Sequence, residues 1–110
     1  MTAVTLSYSK NGMIRKCQAN GHAGFSRKGQ DIVCSAITVL IRTAMQVLSH
    51  TENVILLTDD LVRGSLSFTV EVKAEDSETV TRLQCIGDFL RTGILALVKE
   101  FPENVILMED

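Results

Sequence analysis

The chain has no tryptophan, one proline and only five aromatic side chains among its 110 residues. Aromatic side chains on which nucleic-acid bases could stack are therefore scarce. The net charge of −2 also provides no positive surface potential that would attract the phosphate backbone. The composition thus speaks against nucleic-acid binding. The three cysteines are an odd number with no CxxC spacing, which predicts neither a disulfide framework nor a structural zinc site.

The sequence also lacks a charged-then-apolar targeting segment at its start. Its longest apolar run, residues 32–48, is interrupted by Arg42 and by small polar residues, so we interpret it as a core helix and not as a membrane span. We expect a cytoplasmic, reduced chain that forms one domain over residues 1–110. An apolar content of 45% in so short a chain exceeds what one core hides easily, which favours a homodimer.

Apolar residues alternate or recur in seven segments. Val4, Leu6 and Tyr8 alternate with polar residues as in a half-buried strand, and Asn11-Gly12 predicts a hairpin turn. The later segments are a strand over 13–20, a helix from Asp31 onward, a short buried strand over 54–57, a strand over 65–72, a helix capped by Asp76 or Ser77 and a strand over 105–108. The order β-β-α-β-β-α-β predicts an α+β fold of two layers, with two helices on one face of a mixed, mostly antiparallel sheet.

Cys34 lies near the predicted start of the first helix. Asp31 is a good N-cap residue, so Cys34 would be the third helical residue. Backbone N–H groups in a first turn have no intrahelical partner and carry partial positive charge, which favours a thiolate there. At helical spacing Cys34 falls on the border between the apolar face and a polar arc that includes Thr38. This position suits a nucleophile that is reached from a cleft.

His22 could take the proton from that thiol, because imidazole titrates near neutral pH. The loop between His22 and Cys34, with Gly24 and Gly29 as pivots, is long enough to let the two side chains meet, although the spacing does not require it. Asp31 could orient the imidazole, cap the helix, or do both.

Phe25 lies in the same loop, where an exposed aromatic ring would be costly. Two interpretations remain open. The loop could close over a bound peptide as a lid, or it could be a surface connection with Phe25 packed into the core.

The string Gly21-His22-Ala23, followed by a glycine-containing loop and then by Asp31-Ile32-Val33-Cys34, resembles the signature of the Prp family. These are small bacterial cysteine proteases that process a ribosomal protein. The resemblance implies a catalytic dyad of His22 and Cys34, with Asp31 as the acidic residue before the helix. Family members often carry Ala directly after the Cys and Ser four residues after it. This chain has Ser35 and Thr38 there, which leaves open whether Thr38 supports the site as that Ser does.

The resemblance further implies removal of a short N-terminal extension from protein twenty-seven of the large ribosomal subunit, without a metal or an organic cofactor. Family members are dimeric. The candidate substrate contacts are Gly21, Gly24, Phe25, Gly29 and Ser35.

Two other functions remain possible at this stage. A noncatalytic ribosome-associated module would bind a peptide without turnover and would have an unreactive Cys34. A thiol redox sensor would need Cys17 or Cys85 near Cys34, and nothing in the spacing indicates this. We interpret Cys17 and Cys85 as packing residues, and His50 as a structural residue at the end of the first helix.

Overall fold

The described residues of this protein, for which we describe a computed structural model, form seven helices and strands. The structure describes residues 1–21, 28–59 and 65–110, and the side chains of residues 28–31 lie outside that description. The elements are β1 (Thr2–Tyr8), β2 (Ile14–Asn20), α1 (Lys28–Ser49), β3 (Val54–Asp59), β4 (Ser65–Val72), α2 (Ser77–Glu100) and β5 (Val105–Glu109). The predicted fold class and element order are confirmed.

The strands form one mixed sheet in the order β3-β4-β2-β1-β5. Among the pairings of these five described strands, β1 with β5 is parallel and the other three are antiparallel. The predicted hairpin joins β1 to β2, and Gly12 adopts a positive φ of 84° in its turn, which glycine does at little cost. Ala3 pairs with Asn20, so the start of β1 lies beside the end of β2 near the centre of the sheet.

Both helices cover the same face of the sheet. From β1 and β2 the buried residues include Val4, Leu6 and Cys17, and from β4 they include Phe68 and Val70. The helices contribute a second set of fully or almost fully buried side chains: Val33, Ile37, Ile41, Ala44 and Leu48 from α1, and Leu83, Leu90 and Ile94 from α2. These two sets interdigitate as one core cluster, as a two-layer fold requires.

The segment from Ile32 to Ser49 in α1 is long and apolar enough to cross a membrane by length and composition alone. Its inward face is accounted for by the core, because the five α1 residues named above are all buried within the protein. A core helix of this kind passes the same length and composition test.

The helix α1 begins at Lys28, three residues before the predicted start. The capping role for Asp31 is therefore wrong, since Asp31 lies in the first turn and not at the N-cap. Gly29 is also helical and is not a loop pivot. A glycine inside a helix costs about 1 kcal/mol, but the long buried face of α1 outweighs that local preference. Cys34 becomes the seventh helical residue.

The strand β3 differs from its prediction in burial. Residues 54–57 were expected to form a buried strand, but Ile55 and Leu57 are exposed. Ile55 and Leu57 are exposed because β3 is an edge strand of a sheet that the helices cover on one face only.

At the start of α2 the structure decides between the two predicted N-caps. Asp76 is the N-cap, and its Oδ1 accepts a hydrogen bond of 2.7 Å from the N–H of Thr79.

Candidate active site

Cys34 lies on α1 with its side chain partly exposed, as its border position predicted. Its Sγ is 3.7 Å from Oγ1 of Thr2, the first residue of β1, and either atom can be the donor. The Thr2 side chain is almost fully buried, with 4% of its surface exposed. The thiol is therefore in contact with β1, an inner strand of the sheet, on one side and reachable from solvent on the other.

Gly21 follows directly after β2 and packs against the same threonine. A Cβ added to Gly21 would lie 2.7 Å from Thr2 Oγ1, which is closer than real Cβ contacts allow. The absence of a side chain at position 21 is thus required by the packing of Thr2. Gly21, Thr2 and Cys34 form a continuous chain of contacts that joins the end of β2 to α1 through the start of β1.

Thr38 touches the backbone of Cys34 and not its thiol. Its Oγ1 donates a hydrogen bond of 2.7 Å to the Cys34 carbonyl oxygen, the usual back-bond of a helical threonine to residue i−4. The support that Thr38 gives in this structure is therefore to the helix that carries Cys34. Ser35, the next residue along α1, is exposed.

Several predicted site residues cannot be compared with the structure. His22, Gly24 and Phe25 lie outside the described residues, and so does the side chain of Asp31. Whether His22 contacts Cys34, whether Asp31 orients His22, and which of the two interpretations of the Phe25 loop holds therefore stay predictions.

The other two cysteines differ from Cys34 in their surroundings. Cys17 is fully buried on β2, and this burial raises the pKa of its thiol to about 12, which keeps it protonated. The packing role predicted for Cys17 is confirmed. The same prediction for Cys85 is wrong, because Cys85 is exposed on α2 beside Phe89 and Gly93. None of the three is disulfide-bonded.

The structural interpretation of His50 is confirmed. His50 follows the last residue of α1, and its Nδ1 lies 2.8 Å from the Gln46 carbonyl oxygen, to which a protonated Nδ1 donates. Within residues 1–21, 28–59 and 65–110, no three His, Cys, Asp or Glu side chains are grouped so that they could hold a metal ion.

Thr2 is the member of this site that the sequence did not reveal. It is 32 residues away from Cys34 along the chain, and a threonine at the start of a strand has no special signal. Only the register of β1 against β2 and β5, together with the packing of α1 on the sheet, brings its hydroxyl to the thiol.

Comparison with protein families adds a further observation. The family model described as cysteine protease Prp matches residues 1–106. The chain belongs to the Prp family. It therefore has the fold and the enzyme class of a cysteine protease, a hydrolase that acts on peptide bonds.

Individual Prp relatives agree with this assignment. The ribosomal processing cysteine protease Prp of Mycoplasma pneumoniae is 35% identical over 90 residues, which is 82% of each chain. The crystal structure of the essential ribosomal processing protease Prp from S. aureus in complex with a substrate peptide has a TM-score of 0.79 at 17% identity, with full coverage of both chains. The same S. aureus protease with a covalently linked product peptide gives a TM-score of 0.73 at 20% identity, again with full coverage. At these identities the structures show that the fold is shared.

Proposed function

We propose that this Prp-family chain is a processing endopeptidase in which Cys34 is the nucleophile and His22 is its general base. The substrate we propose is the precursor of protein twenty-seven of the large ribosomal subunit, from which the enzyme would remove a short N-terminal extension. The M. pneumoniae relative is named a ribosomal processing cysteine protease, and the S. aureus relative has been crystallised with a substrate peptide, which supports this proposal.

The observation that carries the dyad is the contact chain from Gly21 through Thr2 to Cys34. A Cβ added to Gly21 would be about 1.5 Å from its Cα and 2.7 Å from Thr2 Oγ1, which is 3.7 Å from Cys34 Sγ. Gly21 Cα and Cys34 Sγ are therefore at most about 8 Å apart. Gly21 is the residue before His22, and consecutive Cα atoms are about 3.8 Å apart. The closeness of Gly21 to the thiol supports the pairing of His22 with Cys34.

The proposed reaction is acyl transfer. His22 takes the proton of Cys34, and Sγ attacks the scissile carbonyl carbon to form a carbon–sulfur bond. The carbon–nitrogen bond then breaks, and the leaving amine receives the proton from His22. Water, deprotonated by His22, attacks the thioester, and cleavage of the carbon–sulfur bond releases the acyl product as a carboxylic acid. His22 returns its proton to the sulfur, which restores the thiol, and the acid loses its own proton to solvent.

The tetrahedral intermediate needs hydrogen-bond donors for its oxyanion. The N–H of Cys34 is not suited to this task, because the seventh residue of an α-helix bonds to the carbonyl four residues earlier. The first four N–H groups of α1, residues 28–31, have no such intrahelical partner. We assign the oxyanion to this first turn. Asp31, which belongs to that turn, keeps its proposed role of orienting His22.

The remaining substrate contacts are proposed from their positions around Cys34. Ser35 is exposed beside the nucleophile, and Gly21 lies at the end of β2. Gly24, Phe25 and Gly29 belong to the segment between β2 and Cys34, and we expect them to contact an extended peptide.

The test is cleavage of a synthetic peptide that spans the extension and the first mature residues, followed by mass spectrometry. Wild type should cut it at one site, whereas Cys34→Ala and His22→Ala should not. Cys85→Ser serves as the matched control, because it removes an exposed thiol away from the site. Cleavage retained in Cys34→Ala would contradict the proposal.

The same experiment separates the protease from a noncatalytic ribosome-associated peptide-binding module. That module would bind the peptide without product formation, and its binding would survive Cys34→Ala. Membership of a protease family favours turnover.

We also propose that the chain is a homodimer that associates through the outer faces of its helices. Ile32 and Val39, exposed to 55% and 64%, repeat at helical spacing along α1 with the half-exposed Ala36, and Phe89 is 47% exposed on α2. Leu40 contacts the backbone at Gly93, one turn after Phe89, so these stripes flank one helix–helix groove. An apolar seam of this kind is typical of a subunit interface.

Sedimentation velocity tests the dimer. Wild type should sediment at twice the chain mass, and Val39→Glu together with Phe89→Glu should give a folded monomer. Met108→Glu is the control, since Met108 is 46% exposed on an edge strand. A wild-type monomer, or dissociation caused equally by the control, would contradict this interface.

We propose, finally, that the enzyme works in the cytoplasm, where the nucleophile stays reduced and its ribosomal substrate is made. All three cysteines are without disulfides, which supports a reducing compartment. When cells are fractionated and the fractions are probed with an antibody against this protein, the protein should be found in the cytoplasmic fraction. Recovery from an exported or membrane fraction would oppose this location.

A further inference from the structure

The hydroxyl of Thr2 lies within hydrogen-bond distance of the Cys34 sulfur, at 3.7 Å. Thr2 is almost completely buried, so water does not compete freely for this hydroxyl. Charge-assisted hydrogen bonds are stronger than neutral ones, and the contact therefore gains most when the sulfur is a thiolate and the hydroxyl donates.

Thr2 is held firmly by the sheet. Its N–H donates a hydrogen bond of 2.8 Å to the Asn104 carbonyl oxygen, and its register partner across the parallel pair is Val105. The next residue, Ala3, is paired on the other side with Asn20. A β-branched side chain on such a backbone has few χ1 choices, so the position of the hydroxyl is fixed by two neighbouring strands.

The surroundings of Thr2 reinforce this geometry. Gly21 leaves room for the hydroxyl, because any side chain there would collide with Oγ1. Thr38, one helical turn after Cys34, donates its hydroxyl to the Cys34 carbonyl oxygen. The Thr2 hydroxyl lies against the sulfur itself, where it can act as the donor.

We infer that Thr2 is a positioning residue for Cys34. The Thr2 Oγ1–H donates to the Cys34 Sγ thiolate and fixes the direction from which the sulfur attacks. This inference rests on the proposed function, in which Cys34 is the nucleophile. The thiol proton still goes to His22, and Thr2 keeps its own proton throughout. Removal of the hydroxyl should make the thiolate harder to form and the sulfur less well aligned.

The test measures alkylation of Cys34 by iodoacetamide as a function of pH, in a Cys85→Ser background that removes the other accessible thiol. Thr2→Val removes the hydroxyl and keeps the shape, and Thr2→Ser restores the hydroxyl. We expect Thr2→Val to be alkylated roughly tenfold more slowly than the parent below neutrality. Thr2→Ser should stay close to the parent.

Thr51→Val is the matched control. Thr51 is also buried, and its hydroxyl bonds to the Val47 carbonyl oxygen and to Arg82 Nε. It follows the end of α1, about 25 Å along the helix axis from Cys34. Thr51→Val should lower the free energy of unfolding without changing the pH profile of Cys34 alkylation. In peptide cleavage, Thr2→Val should lower kcat more than it changes KM, and Thr2→Ser should recover kcat.

An unchanged profile in Thr2→Val, an equal shift in Thr51→Val, or a shift in Thr2→Ser as large as in Thr2→Val would each overturn the inference. The alkylation readout needs no substrate, so the two proposals fail separately. Peptide cleavage by Cys34→Ala would end the protease account. Cleavage that depends on Cys34, combined with an unshifted Thr2→Val profile, would end only the role of Thr2.

Discussion

The contact between Gly21 and Thr2 makes a quantitative prediction about stability. In Gly21→Ala the new methyl group would lie 2.7 Å from Thr2 Oγ1, 3.4 Å from its Cγ2 and 3.5 Å from its Cβ. The first distance is not tolerable, so Thr2 or the end of β2 must move. Overpacking of this kind costs about 1–3 kcal/mol.

The neighbour that causes the cost can be removed separately. In Thr2→Ala the atoms at 2.7 and 3.4 Å are gone, and the contact that remains, at 3.5 Å, is an ordinary van der Waals distance. We therefore expect Gly21→Ala to cost less than about 0.5 kcal/mol in the Thr2→Ala background. The coupling free energy of the pair should be about 1–2 kcal/mol, within the range found for residues in contact.

Urea denaturation of the four proteins in this double-mutant cycle measures the coupling. A domain of this size shifts its Tm by about 4–8 °C per kcal/mol, so the single Gly21→Ala variant should also melt several degrees below wild type. Equal costs of Gly21→Ala in both backgrounds would refute the reasoning. Gly21 would then be needed for its backbone, or for His22, and not for the space that Thr2 occupies.

Three further predictions concern the rest of the molecule. Because burial raises the pKa of Cys17 to about 12, its thiol should resist alkylation at pH 8 until the protein unfolds, and rapid labelling of folded protein would contradict its burial. Tyr8→Phe removes a 2.6 Å hydrogen bond to Glu109 and should cost about 1 kcal/mol in chemical denaturation; no loss would show that the bond is solvent-screened. The pKa of Asp76 is lowered by the N–H of Thr79, so its contribution to stability is present above the pKa of the unfolded state and is lost as acid protonates it in the fold. Asp76→Ala should therefore lower the Tm at pH 7 more than at pH 3, and an equal loss at both would contradict a cap by the carboxylate.

Most of the fold could be predicted because its local signals agree with each other. The alternation in β1 and β4, the turn at Gly12 and the cap at Asp76 all act over a few residues. The burial of β3 could not be predicted, since an edge position depends on which strand becomes its neighbour.

The enzyme class could be predicted from the sequence, whereas the geometry around Cys34 could be predicted less well. Asp31 has the preferences of a cap, but α1 continues through Gly29 to Lys28, so packing of the whole helix overrides the local signal. Because α1 begins earlier, Cys34 lies outside its first turn. The free N–H groups of a helix start therefore do not explain a thiolate at Cys34. The Thr2 hydroxyl lies 3.7 Å from the sulfur instead, a contact that only the tertiary structure reveals.

The central claim is that the acyl group of the substrate passes through Cys34. Acid quenching of wild-type enzyme during turnover of the extension peptide, followed by intact-mass measurement and peptide mapping, tests it directly. The account predicts an adduct with the mass of the N-terminal fragment, less one water, on the peptide that contains Cys34, and no adduct in Cys34→Ala. Product formation without any such adduct in wild type, or an adduct that maps to Cys85, would contradict it.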